Sequence, residues 1–402
     1  MLSTLYLCLA VAIRIGITVY LINIMIRSVG APHQSAMPSP VVQAIFVWLL
    51  ICTFLPVVLI ERQYASLLPD LSVSTVIEPT HVARPPPIDE QKLQDFARVA
   101  INNTLVVVPV NSGMLYWVDN LLCSLRRNTN FDIDKILFWA LDEKAQETLD
   151  QRGHVTYRDP SLFSISANTN LRGVTPDYKR MMRERPKFFI DMLSTGYDML
   201  MIDADTVWYQ SPLLLRDEQV DAVFSTDSRE WYQEKDAFMD KSRRGEKMPP
   251  VCGGLFWMKS SEKTIKLYED MRAVFESKTR KAAIWRHFRF QDDQRGMDCL
   301  LNDGRARLVE TLPGGITPHM LEGRYDSSAY LDVRLADQTM VVNGQLIKNR
   351  ARTYEKNLEA LRAQGKDKIS VHLNWSPTRL SKERGARQMG LWYLDENGQC
   401  RL

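Results

Sequence analysis

From residue 104 onward, short apolar runs alternate with amphipathic segments, and this alternation constrains the fold more than any other feature. TLVVVPV (Thr104 to Val110), KILFWAL (Lys135 to Leu141), HVTY (His154 to Tyr157), YDMLMID (Tyr197 to Asp203) and DAVFSTD (Asp221 to Asp227) read as strands. Helical patterns lie between them: Gly113 to Asn128, the segment DEKAQETLDQ, and TPDYKRMMRERPKFFIDMLSTG, where Pro186 predicts a break or restart. Strands alternating with helices predict an α/β domain with a mostly parallel sheet and helices on both faces. No internal repeat interrupts residues 101–402, which therefore read as one domain. Ligands of such sheets bind beyond the carboxyl ends of the strands.

One strand ends unusually. MLMIDADTVWY (residues 199–209) delivers Asp203 and Asp205 where the apolar run gives out. In extended chain, residues two apart project to the same side, so both carboxylates can converge on one hard cation, Mg²⁺ or Mn²⁺. Such an ion can bridge a diphosphate and neutralise the charge that grows as it departs. The alternative is a solvated surface turn, and the apolar VWYQSPL that follows argues against it. DADTV also satisfies the D-x-D-x-T/V nucleophile signature of haloacid-dehalogenase-type phosphohydrolases, with Asp203 as nucleophile. That fold opens with this strand, however, and here about a hundred residues of domain precede it.

The N-terminus has a different character. Val41 to Ile60 contains no charged residue, and as a helix would span about 30 Å, the hydrocarbon thickness of a bilayer. A second apolar segment, residues 2–26, is interrupted by Arg14, at roughly 2.5–3.5 kcal/mol for a central arginine. That segment reads as a second span, a signal-like region or an interfacial stretch; for a single span, Arg14 and Arg27 upstream favour a cytoplasmic N-terminus and a lumenal bulk. Residues 61–100, with Pro85 to Pro87, read as an extended stem. Cys123, Cys252, Cys299 and Cys400 fall outside the apolar segments; they can pair in three ways or stay as free thiols. A formal net charge of +3 without a basic stripe argues against nucleic acid as a partner. Two N-x-S/T triplets, at Asn102 and Asn374, add little, since chance often produces them.

Four stretches, in order, resemble the nucleotide-diphospho-sugar transferase family that includes plant rhamnogalacturonan xylosyltransferases and cell-wall arabinosyltransferases. They are RERPKFFIDMLSTGYDMLMIDADTVWYQSPL, GGLFWMKSSEKTIKLYEDM, QDDQRGMDCLL and VHLNWSPTRLSKERGARQMGLW. The resemblance implies a GT-A-type, Rossmann-like fold. It implies an enzyme moving a sugar from a nucleoside diphosphate, UDP rather than GDP, to a glycan, glycoprotein or glycolipid hydroxyl with retention. It also implies a type II protein of the Golgi membrane. Two positions depart from the family: Cys252-Gly253-Gly254 stands where Asn-Thr/Ser-Gly is usual, and Asp298 stands near where the D-Q element shows asparagine.

The same resemblance gives roles to residues. Asp203 and Asp205 would ligate Mn²⁺ or Mg²⁺, Asp203 also reaching the ribose, with His372 completing the metal site. Asp293 and Gln294 match the pair expected near the anomeric carbon, while the neighbouring Asp292 reads equally as a helix cap. Asn111 and Ser112 end the first strand, where nucleotide contacts fall, and Lys187 and Gly254 are further candidates for that pocket. Arg379, Lys382 and Arg384 form a basic patch from which one or two members would clamp the departing diphosphate. A transferase-like scaffold without catalysis is the remaining reading, and it would require a broken metal site.

Overall fold

The computed structural model describes residues 88–162, 176–227, 231, 239–240, 245–246, 250–279, 282–283, 286, 291–309, 330–374 and 379–401. The chain divides into Met1–Ser72 and Val73–Leu402, and the described residues belong to the second unit. The expected span 41–60 and the apolar segment 2–26 lie outside the described residues. Among those described, no helix is long and apolar enough to cross a membrane.

Helix α1 (Glu90–Val99) comes first, capped by Asp89, whose carboxylate accepts from the Lys92 amide at 2.8 Å. Its Phe96 and Val99 are buried, Phe96 edge-on to Tyr157. The sequence gives these residues to an extended stem, and the structure corrects that. A capping aspartate and two apolar residues three apart suffice to lay a short helix on the sheet.

The remaining elements follow the expected alternation. They run β1 (Thr104–Val110), α2 (Leu115–Asn128), β2 (Ile136–Ala140), α3 (Glu143–Gln151), β3 (Val155–Tyr157), α4 (Pro176–Leu193) and β4 (Asp198–Ile202). Then come β5 (Thr206–Trp208), β6 (Ala222–Thr226), the short β7 (Met239–Asp240) and β8 (Gly245–Glu246), and β9 (Val251–Met258). The last are α5 (Glu262–Glu276), α6 (Asp293–Leu300), β10 (Ala306–Leu308), β11 (Leu331–Leu335), β12 (Val341–Asn343), α7 (Gly344–Arg362), β13 (Ser370–His372) and α8 (Arg379–Gln388).

Eight strands form the main sheet in the order β10-β11-β6-β9-β4-β1-β2-β3. Its neighbours pair in parallel except β9, which runs antiparallel to both β4 and β6. From β1 the chain builds outward through β2 and β3, then returns to place β4 on the other side of β1. That reversal opens a crevice at the carboxyl ends of β1 and β4. Asn111 follows β1 and Asp203 follows β4, so both mark its edge. The sheet is mixed and mostly parallel, and β1, β2, β4, β6 and β9 are buried along nearly their whole length.

Helix α4 runs through Pro186 without the expected break. A proline inside a helix costs about 3 kcal/mol. Phe188, Phe189, Met192 and Leu193 are all fully buried in the same helix, and each contributes about 1.5–3 kcal/mol. Packing wins. Phe188 stacks on Trp139 of β2 with centroids 3.6 Å apart, and Phe189 meets Tyr268 of α5 at 4.8 Å.

A second, three-stranded sheet has the order β12-β13-β5. The C-terminal tail is tied to α2 by a disulfide between Cys123 and Cys400, with Cα atoms 5.4 Å apart. Asn120, also on α2, reaches the same tail, donating to the Leu391 carbonyl at 3.2 Å and accepting from the Tyr393 amide at 2.7 Å. Among the described residues, Cys252 forms no disulfide.

Candidate metal centre

The small sheet assembles the site from distant parts of the chain. β13 lies antiparallel to β5 with His372 opposite Thr206, and the Leu373 amide donates to the Asp205 carbonyl at 2.9 Å. Between β4 and β5 the chain turns tightly: the Thr206 amide and hydroxyl both donate to the Asp203 carbonyl, at 3.2 and 2.9 Å. The turn buries Ala204 and leaves the aspartates on either side of it facing His372. The His372 Nε2 atom lies 3.5 Å from Asp203 Oδ2 and 3.3 Å from Asp205 Oδ1. One ligand atom from each of the three residues falls within 4.8 Å of the others. Asp205 and His372 are buried, while the Asp203 side chain is 33% exposed. Two carboxylates and an imidazole converging from three backbone positions fit a divalent cation such as Mn²⁺ or Mg²⁺.

Positive charge already faces the pair. Lys382 of α8 forms an ion pair with Asp205 Oδ2. Burial alone would raise the Asp205 carboxyl, but Lys382 and His372 hold it well below the usual carboxylate range. Burial would likewise lower the His372 imidazole; Cys252 and the two aspartates outweigh it and lift the ring well above its ordinary value.

Cys252, Gly253 and Gly254 at the start of β9 form the floor. The Cys252 Sγ lies 3.3 Å from His372 Nδ1. The Gly253 amide donates to Gln294 Oε1 at 3.0 Å. Gly254 accepts from the Asp203 amide at 2.6 Å, and a Cβ there would collide with the Asp203 carboxylate. Only glycine admits that approach.

Asp293 opens α6, beside these glycines, and Asp292 is its cap, accepting from the Arg295 amide at 2.8 Å. Asp293 is 2% exposed, and Arg185 Nη1 lies 3.3 Å from its Oδ2. Burial pushes the Asp293 carboxyl up to about 7 against the pull of Arg185. Arg185 also donates to the Gly253 carbonyl at 2.9 Å, joining α4 to the floor. Gln294 donates to Asp227 Oδ2 at 2.8 Å. Asn343 and Asn374 donate to Asp227 Oδ1 at 3.0 and 2.7 Å. One carboxylate at the end of β6 thus gathers three amides from α6, β12 and the segment after β13.

The nucleotide candidates are dispersed. Asn111 is buried at the end of β1, and no hydrogen-bond partner is present for its Oδ1 among the described residues. The Ser112 amide donates to Asp142 Oδ2 at 2.7 Å. Lys187 does not join the cluster: its partners among the described residues are Asp159 at 3.5 Å and Ser161 at 3.0 Å, beyond β3. Arg379 is the first residue of α8, and Arg384 on the same helix is exposed. Asn374, the acceptor of one N-x-S/T triplet, is engaged by Asp227 and by the Gly344 amide at 3.2 Å. Sequence reasoning misses Arg185 and Asp227. Asp227 carries the signature of Asp203, an acid closing an apolar strand, whereas RERP gives Arg185 no distinguishing mark.

The family profile of nucleotide-diphospho-sugar transferases matches residues 132–384. Arabinosyltransferase XEG113 of Arabidopsis thaliana is 27% identical over 155 residues, 38% of this chain and 23% of that protein. UDP-D-xylose:L-fucose alpha-1,3-D-xylosyltransferase 1 of the same plant is 30% identical over 131 residues, 32% of this chain and 35% of that protein. UDP-galactose:fucoside alpha-3-galactosyltransferase of Dictyostelium discoideum is 20% identical over 319 residues, 73% of this chain and 44% of that protein. The chain thus spans less than half the length of these relatives. Glycosyltransferase GlyE of Streptococcus pneumoniae is similar at a TM-score of 0.37 and 10% identity, covering 73% of this chain and 65% of that one. The matched segment takes in Asp203, Asp205, His372 and Lys382 and covers more than half the chain, which sets the phosphohydrolase reading aside: the chain belongs to the nucleotide-diphospho-sugar transferase family.

Proposed function

We propose that the protein transfers a sugar from a UDP-sugar, a pentose or a hexose, to a hydroxyl of a glycan, glycoprotein or glycolipid, with retention of configuration. The observation that carries this reading is the convergence of Asp203, Asp205 and His372 beyond the carboxyl end of β4, where sheets of this kind bind ligands. These three residues would hold a divalent ion, Mn²⁺ being favoured by the imidazole. When bound, such an ion neutralises the diphosphate as it leaves.

Lys382, paired with Asp205, would release it and donate to the diphosphate, and Arg379 on the same helix would be a second donor. Asn111, Ser112 and Gly254 would contact the nucleotide, while Lys187, paired with Asp159 and Ser161, would take no part. Asp293 and Gln294 lie next to the floor that positions Asp203 and would meet the sugar. Gln294 has both sides of its amide engaged by Gly253 and Asp227, so it is presented in one orientation. The relatives named for UDP-xylose and UDP-galactose support a UDP-sugar donor. Residues 41–60 would anchor the protein in the Golgi membrane in type II topology, with the stem and catalytic domain in the lumen.

The test is incubation of the full chain with UDP-xylose, UDP-arabinose and UDP-galactose in Mn²⁺, reading free UDP and glycosylated acceptor. Asp205→Ala is expected to abolish transfer and metal-dependent nucleotide binding with little change in thermal unfolding. Wild-type turnover by that variant, or release of inorganic phosphate in place of UDP, overturns the proposal.

A further inference from the structure

His372 is the least constrained ligand by covalent geometry. An imidazole can present either nitrogen, in either of two ring orientations, and a metal site requires one of these arrangements. Here the two nitrogens face different groups. Nε2 lies toward Asp203 and Asp205. Nδ1 lies on the other side of the ring, 3.3 Å from the Cys252 sulfur. Cys252 is 3% exposed and His372 5% exposed, so no water competes freely for that contact.

The cluster of possible ligand atoms comprises Asp203, Asp205 and His372, and the sulfur meets the other ring nitrogen. It acts through the histidine. We infer that Cys252 is a positioning residue that fixes the ring and tautomer of His372, accepting a hydrogen bond from Nδ1–H so that Nε2 is turned to the aspartate pair. The inference rests on the metal reading of Asp203, Asp205 and His372 and adds the residue that orients one of them.

Two further features favour this role. Cys252 belongs to the same three-residue floor that holds Gln294 through the Gly253 amide and Asp203 through the Gly254 carbonyl. The start of β9 therefore sets the position of a metal ligand on each side, Asp203 by its backbone and His372 by its ring. β9 is also fully buried, so this reference point is rigid. Partners behind a ligating histidine hold its orientation and basicity, and losing one lowers metal affinity about 10–100-fold. A thiol is a weaker acceptor than the amide oxygen that the family pattern supplies at this position, and it is also smaller.

The experiment measures Mn²⁺ binding to the full chain without nucleotide, by the loss of the free-ion electron paramagnetic resonance signal, alongside thermal unfolding. Cys252→Ser keeps an acceptor and is expected to bind within about threefold of wild type, while Cys252→Ala is expected to lose about tenfold. Cys252→Val fills the cavity without the bond and is expected to match Ala, whereas a pure packing role predicts that Val matches wild type. It also keeps the comparison valid if Ala folds poorly. Wild-type affinity in both Ala and Val, with His372→Ala abolishing binding, overturns the role of Cys252 and leaves the metal site standing. No Mn²⁺ binding by the wild-type chain overturns both.

Discussion

His372 on β13 stands opposite Thr206 on β5, one residue beyond Asp205, and this register brings a C-terminal imidazole to an aspartate pair from the middle of the chain. The backbone bond from Leu373 to the Asp205 carbonyl locks the same register. A slip of one residue would turn His372 to the opposite face of the strand. The metal centre is therefore a property of strand pairing as much as of its three side chains.

Replacing Gly254 by alanine tests the close approach beneath Asp203. The added Cβ would occupy the carboxylate's place, and β9 is buried on both sides and cannot retreat. Gly254→Ala is expected to fold but to bind Mn²⁺ at least tenfold more weakly, read by titration with the free metal. Unchanged affinity would show that Asp203 does not need this position.

Lys382 and a divalent cation compete for Asp205 Oδ2. Lys382→Ala is therefore expected to bind Mn²⁺ several-fold more tightly in the absence of nucleotide. With Mn²⁺ saturating, it should bind UDP about tenfold more weakly, because one charge-assisted contact to the diphosphate is gone. Calorimetry of both ligands separates the two effects. Weaker metal binding together with unaltered UDP binding contradicts the exchange.

Asp227 collects amide donors from Gln294, Asn343 and Asn374. Each bond to a charged acceptor contributes about 1.5–3 kcal/mol. Asp227→Ala leaves three amides without that acceptor and is expected to lower the unfolding free energy by at least about 3 kcal/mol in urea titration. A loss under about 1 kcal/mol would mean that water replaces the carboxylate.

Asp191 on α4 is 7% exposed, and no hydrogen-bond partner is present for its Oδ1 among the described residues. Burial pushes its carboxyl up to about 7, against the pull of Lys187. The folded state therefore holds the proton that the unfolded chain releases near pH 4, and the contribution of Asp191 to stability falls as pH rises from about 4 to 7. Asp191→Asn carries no charge at any pH. It is expected to gain on wild type through that window and to stay ahead at pH 8, with little difference at pH 4. Urea unfolding at pH 4, 6 and 8 reads the gap; a constant gap rejects the titration.

The sequence by itself determined the elements and the aspartate pair. The runs ending at Val110, Leu141 and Asp203 are nearly continuous apolar strands, and burial on both sides requires that composition, so β1, β2 and β4 fall within a residue of where the sequence places them. Asp203 and Asp205 were legible as acids at the end of such a run and the cap reading of Asp292 from its place before a helix, whereas His372 was picked out only by the resemblance of VHLNW to the transferase family. Tertiary structure decided the rest. Pro186 stays inside α4 because the burial of its phenylalanine neighbours outweighs one lost hydrogen bond, and α1 packs where a stem was expected. Lys187 goes to Asp159, Lys382 to Asp205, and Cys123 chooses Cys400 from three possible pairings. Propensity and periodicity act over a few residues, so they fix strands and turns. Partners of charged groups, thiols and ring nitrogens are chosen by which strands lie side by side, and that order depends on the packing of the whole sheet.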